Sequence, residues 1–124
     1  MSLGATSLLL AALGGALGSA LRMLVGGLFP SDLRLPWATI LINITGSLAI
    51  GWLMGWLGAP TPENARWHSL LVVGVCGGFT TFSAFSWQTF ALLQKNELGA
   101  AFANVLLSVL LCLTATWLGW RLAR

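Results

Sequence analysis

"GGFTTFSAFS", residues 77–86, is the stretch on which the reading of this chain turns. Two glycines precede three phenylalanines at a spacing of three, Phe79, Phe82 and Phe85, with hydroxyls between them at Thr80, Thr81, Ser83 and Ser86. Counting from Cys76, "CGGFTT" sets two glycines and two β-branched residues in the middle of a long apolar run, which invites a break in a helix. Carbonyls freed at membrane depth persist only where a neighbouring chain, water or a cation satisfies them. A phenyl ring is positive at its edge and negative on its face. Phenyl edges alternating with hydroxyl donors can therefore hold a small anion with no full positive charge nearby. A phenylalanine stripe packed into a helix interface is the plainer reading of the same spacing.

The apolar run belongs to a membrane protein. The 124 residues are 57% hydrophobic and 7% charged, with a mean hydropathy of +0.88, whereas soluble domains carry about 25% charged residues. One domain is the limit at this length. The net charge of +3 is scattered and forms no run suited to nucleic acid. Cys76 and Cys112 both lie in apolar segments and read as small buried residues rather than as a disulfide or a metal cluster. No basic residue precedes Arg22, and the apolar run from Leu3 to Leu21 exceeds a usual signal core, so it reads as a membrane helix that is kept.

A helix needs about 20 apolar residues to cross the hydrocarbon. Charges and prolines cut the chain into four such pieces, expected at about 3–28, 37–57, 67–93 and 98–119, all within a single membrane domain, 1–124. Trp37, Trp56, Trp67, Trp117 and Trp120 fall near the ends, as an interfacial belt would place them. Loop charges leave orientation nearly undecided. One side holds Arg66, Arg121 and Arg124; the other holds Arg34 and Lys95, plus Arg22 if it snorkels that way. Two readings stand: a single, weakly determined orientation, or insertion both ways with opposite copies paired. Four helices cannot enclose a pore and still pack together, so transport implies an oligomer. Gly14 with Gly18, Gly51 with Gly55, and Gly74 with Gly78 are small-xxx-small pairs that permit close packing and say nothing about substrate.

Polar groups inside a span are candidates for function. Arg22 shares a helical face with Gly14, Gly18 and Gly26, roughly 9 Å from the end of its span at 1.5 Å per residue. It is either a snorkelling arginine or a functional cation, and no carboxylate lies in any span to neutralise it. Asn43 has Thr39 one turn before it and Gly46 close to one turn after; interhelical glue and a pore ligand both suit its amide. Asn104, Ser108 and Cys112 share one face of the fourth span.

"GGALGSALR" in the first span, "NITG" in the second and "GGFTTFSAFS" in the third together resemble the Fluc/CrcB family of fluoride channels, across all four spans. The resemblance implies an all-α, dual-topology, antiparallel homodimer in the bacterial plasma (inner) membrane, with two pores that passively export fluoride and confer fluoride resistance. It implies that Phe82 and Phe85 form a phenylalanine box, that Asn43 and Ser108 lie on the pore, and that Arg22 lies near the vestibule; Ser83 and Ser86 join them as hydroxyls of the same track. It also implies a structural, non-transported sodium ion on the dimer axis, held by the backbone carbonyls of Gly77 and Thr80. Two positions depart from the family's usual pattern: Ala84 stands where a threonine is common and Gln88 where a glutamate is.

The physics of such a channel is short. Hydrogen fluoride enters as a neutral acid and dissociates inside, and an inside-negative membrane then drives the anion out with about 2.3 kcal/mol per 100 mV. No energy source is needed, and the chain has no nucleotide-binding loop. A small multidrug transporter would need a carboxylate within a span, whereas Asp32, Glu63 and Glu97 are all in loops. A non-transporting assembly subunit would explain the glycine pairs but not the phenyl and hydroxyl track. An intramembrane enzyme would need a nucleophile and base, and the only histidine, His68, is at a span boundary. The expected activity is therefore conduction, without catalysis.

Overall fold

The computed structural model describes residues 4–124, so Leu3, where the first span was expected to begin, lies outside the described residues. Helix α1 covers Ala5–Gly26 and α2 covers Trp37–Leu57. The third span, Ala65–Gln94, is made of two helices: α3, residues 65–79, and α4, Phe82–Gln94. Helix α5 is Leu98–Leu122. The first helix thus ends two residues before the expected Leu28, where Gly27 N–H closes on Met23 and Leu28 N–H on Val25. The last runs three residues beyond Gly119.

The four spans pack as two close pairs, α1 with α3 and α2 with α5. Glycine makes both seams. A Cβ on Gly14 would land on the Leu70 carbonyl and lie 2.9 Å from Gly74 Cα, and one on Gly18 would lie 2.7 Å from Phe79 N. In the other pair a Cβ on Gly51 would strike the Thr116 carbonyl, and one on Gly119 would lie 2.8 Å from Trp52 N. Backbones at this separation gain dispersion contacts and order few side chains, which suits a medium that offers helices no hydrophobic drive to associate.

Most buried positions of α1, α2 and α5 are accordingly small or polar: Gly14, Gly18, Thr39, Gly46, Gly51, Ala100, Ala101, Asn104, Ser108, Ala115 and Gly119, beside the larger Ile40, Ile42 and Leu53 of α2. Many large apolar side chains, among them Leu9, Leu13, Leu24, Phe102 and Leu113, point outward. That pattern suits a chain whose solvent is lipid.

Loops hold the pairs in register. Between α2 and α3, Asn64 donates from Nδ2 to the Leu57 and Ala59 carbonyls (2.9 and 3.1 Å) and accepts from Thr61 N–H (2.7 Å). His68 is buried and its Nε2 lies 3.0 Å from the Gly58 carbonyl, so it donates there. Gly58 adopts φ +71°, a region that costs a Cβ-bearing residue strain. This histidine ties down a loop. At the opposite end Arg34 Nε meets Glu97 Oε2 at 3.3 Å and bridges the first and third loops. Within α3, residues His68–Cys76 coil as a π-helix, a wide turn that nothing in their sequence announces.

Candidate ion pathway

The third span breaks at two threonines. Thr80 (φ −82°, ψ 157°) and Thr81 (φ −151°, ψ 111°) are extended, while Gly77 and Gly78 remain helical. The glycines were expected to share in the break; Gly78 instead lets α3 lie against Gly15 of α1.

In an unbroken helix the carbonyls of Gly77, Gly78 and Thr80 would accept from the amides of Thr81, Phe82 and Ala84. Side chains have intervened at all three. Thr81 N–H donates to Asn43 Oδ1 at 2.8 Å, and Ala84 N–H donates to Thr81 Oγ1 at 3.1 Å, capping α4. The Gly78 carbonyl accepts from Arg22 Nε at 3.1 Å. Asn43 also donates from Nδ2 to the Thr81 carbonyl at 3.1 Å, so its amide pairs with both polar groups of Thr81. Arg22 thus spends one of its donors on the break and keeps its positive charge, which a neutral carbonyl does not cancel. The Thr80 hydroxyl folds back on the Cys76 carbonyl at 2.8 Å.

The Gly77 and Thr80 carbonyls are left without their helical donors on a surface that both residues line. Hard cations prefer oxygen donors of this kind. The donor set therefore fits a sodium ion held by main-chain oxygens, and among the described residues no group of three His, Cys, Asp or Glu offers a different metal site.

Next to the break lies a groove of about 410 Å³, lined by Asn43, Ser47, Thr80, Phe82, Phe85 and Ser108 together with apolar residues of α2, α3 and α5. The rings of Phe82 and Phe85 stand 5.4 Å apart, tilted by 46°. Phe82 is 79% exposed, too open for a packed core residue. Phe79 differs, being packed at Gly46. Free thiols of Cys76 and Cys112 also line the groove.

Asn43, Phe82, Phe85, Ser108, Gly77 and Thr80 are thus brought together on one surface, with Arg22 reaching the break from behind. Ser83 and Ser86 are not brought to it; both are exposed and neither lines the groove.

One connection escaped the sequence reading. Ser108 Oγ lies 3.4 Å from Asn104 Oδ1, Asn104 Nδ2 donates to Thr89 Oγ1 at 2.9 Å, and Thr89 donates to the Phe85 carbonyl at 2.8 Å. This relay crosses from α5 to α4 and ends on the backbone of a groove phenylalanine. Thr89 stands four residues after Phe85, and that spacing was its only sequence signal.

Residues 9–120 match the family described as CrcB-like protein, Camphor Resistance (CrcB). The chain is similar to the fluoride-specific ion channel FluC of Rhodospirillum rubrum, 45% identical over 118 residues, covering 90% of this chain and 89% of that one. It is 40% identical to the FluC of Pyrococcus abyssi over 124 residues, covering 100% and 99%. The FluC of Caulobacter sp. strain K31 is 44% identical over 124 residues, covering 96% and 95%.

Proposed function

The chain belongs to the CrcB-like family, and from that membership we propose that it is a multi-pass membrane channel selective for fluoride. It is a transport protein and not an enzyme. The observation that carries this reading is the clamped break: Asn43 fixes Thr81 next to an open phenylalanine pair, in a groove with a buried serine hydroxyl. Such a surface presents ring edges and a few hydroxyl and amide groups at membrane depth. It suits a small, strongly hydrogen-bonding anion, which amide and hydroxyl donors and the positive ring edges can hold without a full positive charge.

Fluoride would leave passively, driven by the membrane potential at about 2.3 kcal/mol per 100 mV. In this proposal the working unit is an antiparallel homodimer in the plasma (inner) membrane of a bacterium, with one pore on each side of the pair. The near balance of loop charges supports it, as does the groove, which one chain leaves open along Gly77, Thr80 and Phe82. A structural sodium between the two copies would be held by the Gly77 and Thr80 carbonyls, supplying positive charge on the axis without entering the pore.

The test is fluoride efflux from liposomes containing the purified protein, with chloride as the control ion. Rapid fluoride release with negligible chloride release is expected. Equal release of both, or release of neither, would overturn the reading.

A further inference from the structure

Five hydroxyls of this chain, those of Thr45, Ser69, Thr80, Thr89 and Thr114, each donate to the carbonyl four residues earlier, at 2.7 or 2.8 Å. A serine or threonine inside a helix readily falls into that bond. Ser108, in the middle of α5 and on the wall of the groove, does not. Its Oγ lies instead 3.4 Å from the side-chain oxygen of Asn104. A good hydroxyl bond is shorter, about 2.5–3.0 Å. The serine is held away from a strong partner and left on a weak one.

The direction of that contact follows from counting hydrogens. Thr89 has one hydroxyl hydrogen and two partners, the Phe85 carbonyl at 2.8 Å and the Asn104 amide at 2.9 Å. A carbonyl only accepts, so the hydrogen goes to Phe85, and Asn104 must turn its Nδ2 donor to Thr89. The Oδ1 end is thereby left to Ser108, whose hydroxyl then donates. Asn104 is 0% exposed, and at that depth an amide that lost its Thr89 acceptor would carry the cost of an unpaired donor. Thr89 therefore fixes which end of the amide the serine meets.

We propose that Asn104, clamped by Thr89, is a positioning residue for conduction: it holds the Ser108 hydroxyl off the carbonyl of its own helix, on a contact weak enough to be surrendered to an anion in the groove. The ligand is a small anion, and its identity as fluoride rests on the function proposed above. An ion is a charged acceptor and makes the shorter, stronger bond to the same hydrogen. Ser108 then swings from Asn104 to the ion and back. Without the amide oxygen the hydroxyl falls to the backbone carbonyl of residue 104, as the five other hydroxyls do, and the groove loses a donor.

Two measurements test this: the fluoride concentration that half-saturates efflux from liposomes, and the rise in unfolding temperature that bound fluoride causes in detergent. Asn104→Leu keeps the approximate shape and removes the oxygen; Thr89→Val keeps the amide and removes what orients it. Each should raise half-saturation about tenfold, the loss of one bond to an ion, and each should weaken the rise in unfolding temperature. Thr89→Ser keeps the hydroxyl and should restore both. In a Ser108→Ala background neither Asn104→Leu nor Thr89→Val should shift half-saturation further, whereas a brace acting only on the fold would add the same penalty with or without the serine. Should Asn104→Leu fail to fold, the half-buried Thr89 carries the comparison through its valine and serine variants. Unchanged half-saturation in Thr89→Val, or equal shifts with and without Ser108, would overturn the positioning role. A wild-type protein that moves no fluoride but is stabilised by it, with that stabilisation lost in Thr89→Val and kept in Thr89→Ser, would sink the channel reading and leave the positioning role standing. Neither efflux nor stabilisation in the wild type would overturn both.

Discussion

At Asn43, both ends of one side-chain amide are spent on one backbone unit: Oδ1 accepts from Thr81 N–H and Nδ2 donates to its carbonyl. An amide does this and a carboxylate cannot, because aspartate has no donor for the carbonyl. Asn43→Ala should strand a part-buried N–H and carbonyl and cost about 1–3 kcal/mol, lowering the unfolding temperature in detergent. Asn43→Asp should lose more fluoride efflux than Asn43→Ala, since it sets oxygen against oxygen and negative charge on an anion's route. Efflux from the aspartate variant at the wild-type rate would remove Asn43 from both roles. The phenylalanines make a complementary case. Phe82→Leu and Phe85→Leu change volume little and should cost under about 1.5 kcal/mol of stability, yet each should reduce efflux strongly because the ring edges are gone. Wild-type efflux in both would return these rings to packing.

Among the helices, the glycine seams were readable as pairs, but which glycines carry weight was not. Gly14 and Gly15 are neighbours with opposite surroundings: a Cβ on Gly14 meets the backbone of α3, whereas one on Gly15 meets nothing within 4 Å. Gly15→Ala should be neutral or stabilise by up to about 1 kcal/mol through helix propensity. Gly14→Ala must push two backbones apart and should lower thermal stability clearly; equal unfolding temperatures for the two variants would refute the close α1–α3 seam. The same contrast shows where sequence reading reaches its limit. Four spans were legible because lipid demands long apolar runs, and the break was legible because "CGGFTT" weakens a helix. The position of the break depended on Asn43, 38 residues upstream and on another helix. Arg22 binding the Gly78 carbonyl is likewise tertiary, and so is the Asn104–Thr89 link. No local pattern encodes which freed carbonyl a distant side chain will reach. Ser83 and Ser86 show the converse: they share the motif with Phe82 and Phe85 but not its surface.

For the whole molecule the open question is the second copy, and the sodium ion proposed between the copies is bound up with it. With Cys76 and Cys112 replaced, a single cysteine in the third loop should label from both sides of the membrane in comparable amounts; labelling from one side alone would end the antiparallel proposal. Gly77 loses its Thr81 donor to Asn43, and Thr80 loses its Ala84 donor to Thr81 Oγ1, so each chain brings two carbonyls in need of a partner. Two copies related by an axis through this point would offer four oxygens and no carboxylate, which suits a hard monovalent cation. Because the ligands are main-chain atoms, Thr80→Ser should be nearly neutral: it keeps the carbonyl and can keep the hydroxyl bond to Cys76. A bulky residue at Gly77 should damage assembly instead, since it stands on the open groove where the partner would approach. Replacing sodium by lithium or N-methylglucamine should alter channel activity or dimer stability, while the fluoride gradient alone still sets the direction of flow. Indifference of both properties to that replacement would remove the ion from the proposal. Efflux that scales with an imposed sodium gradient would make the ion a transported one and the protein a symporter.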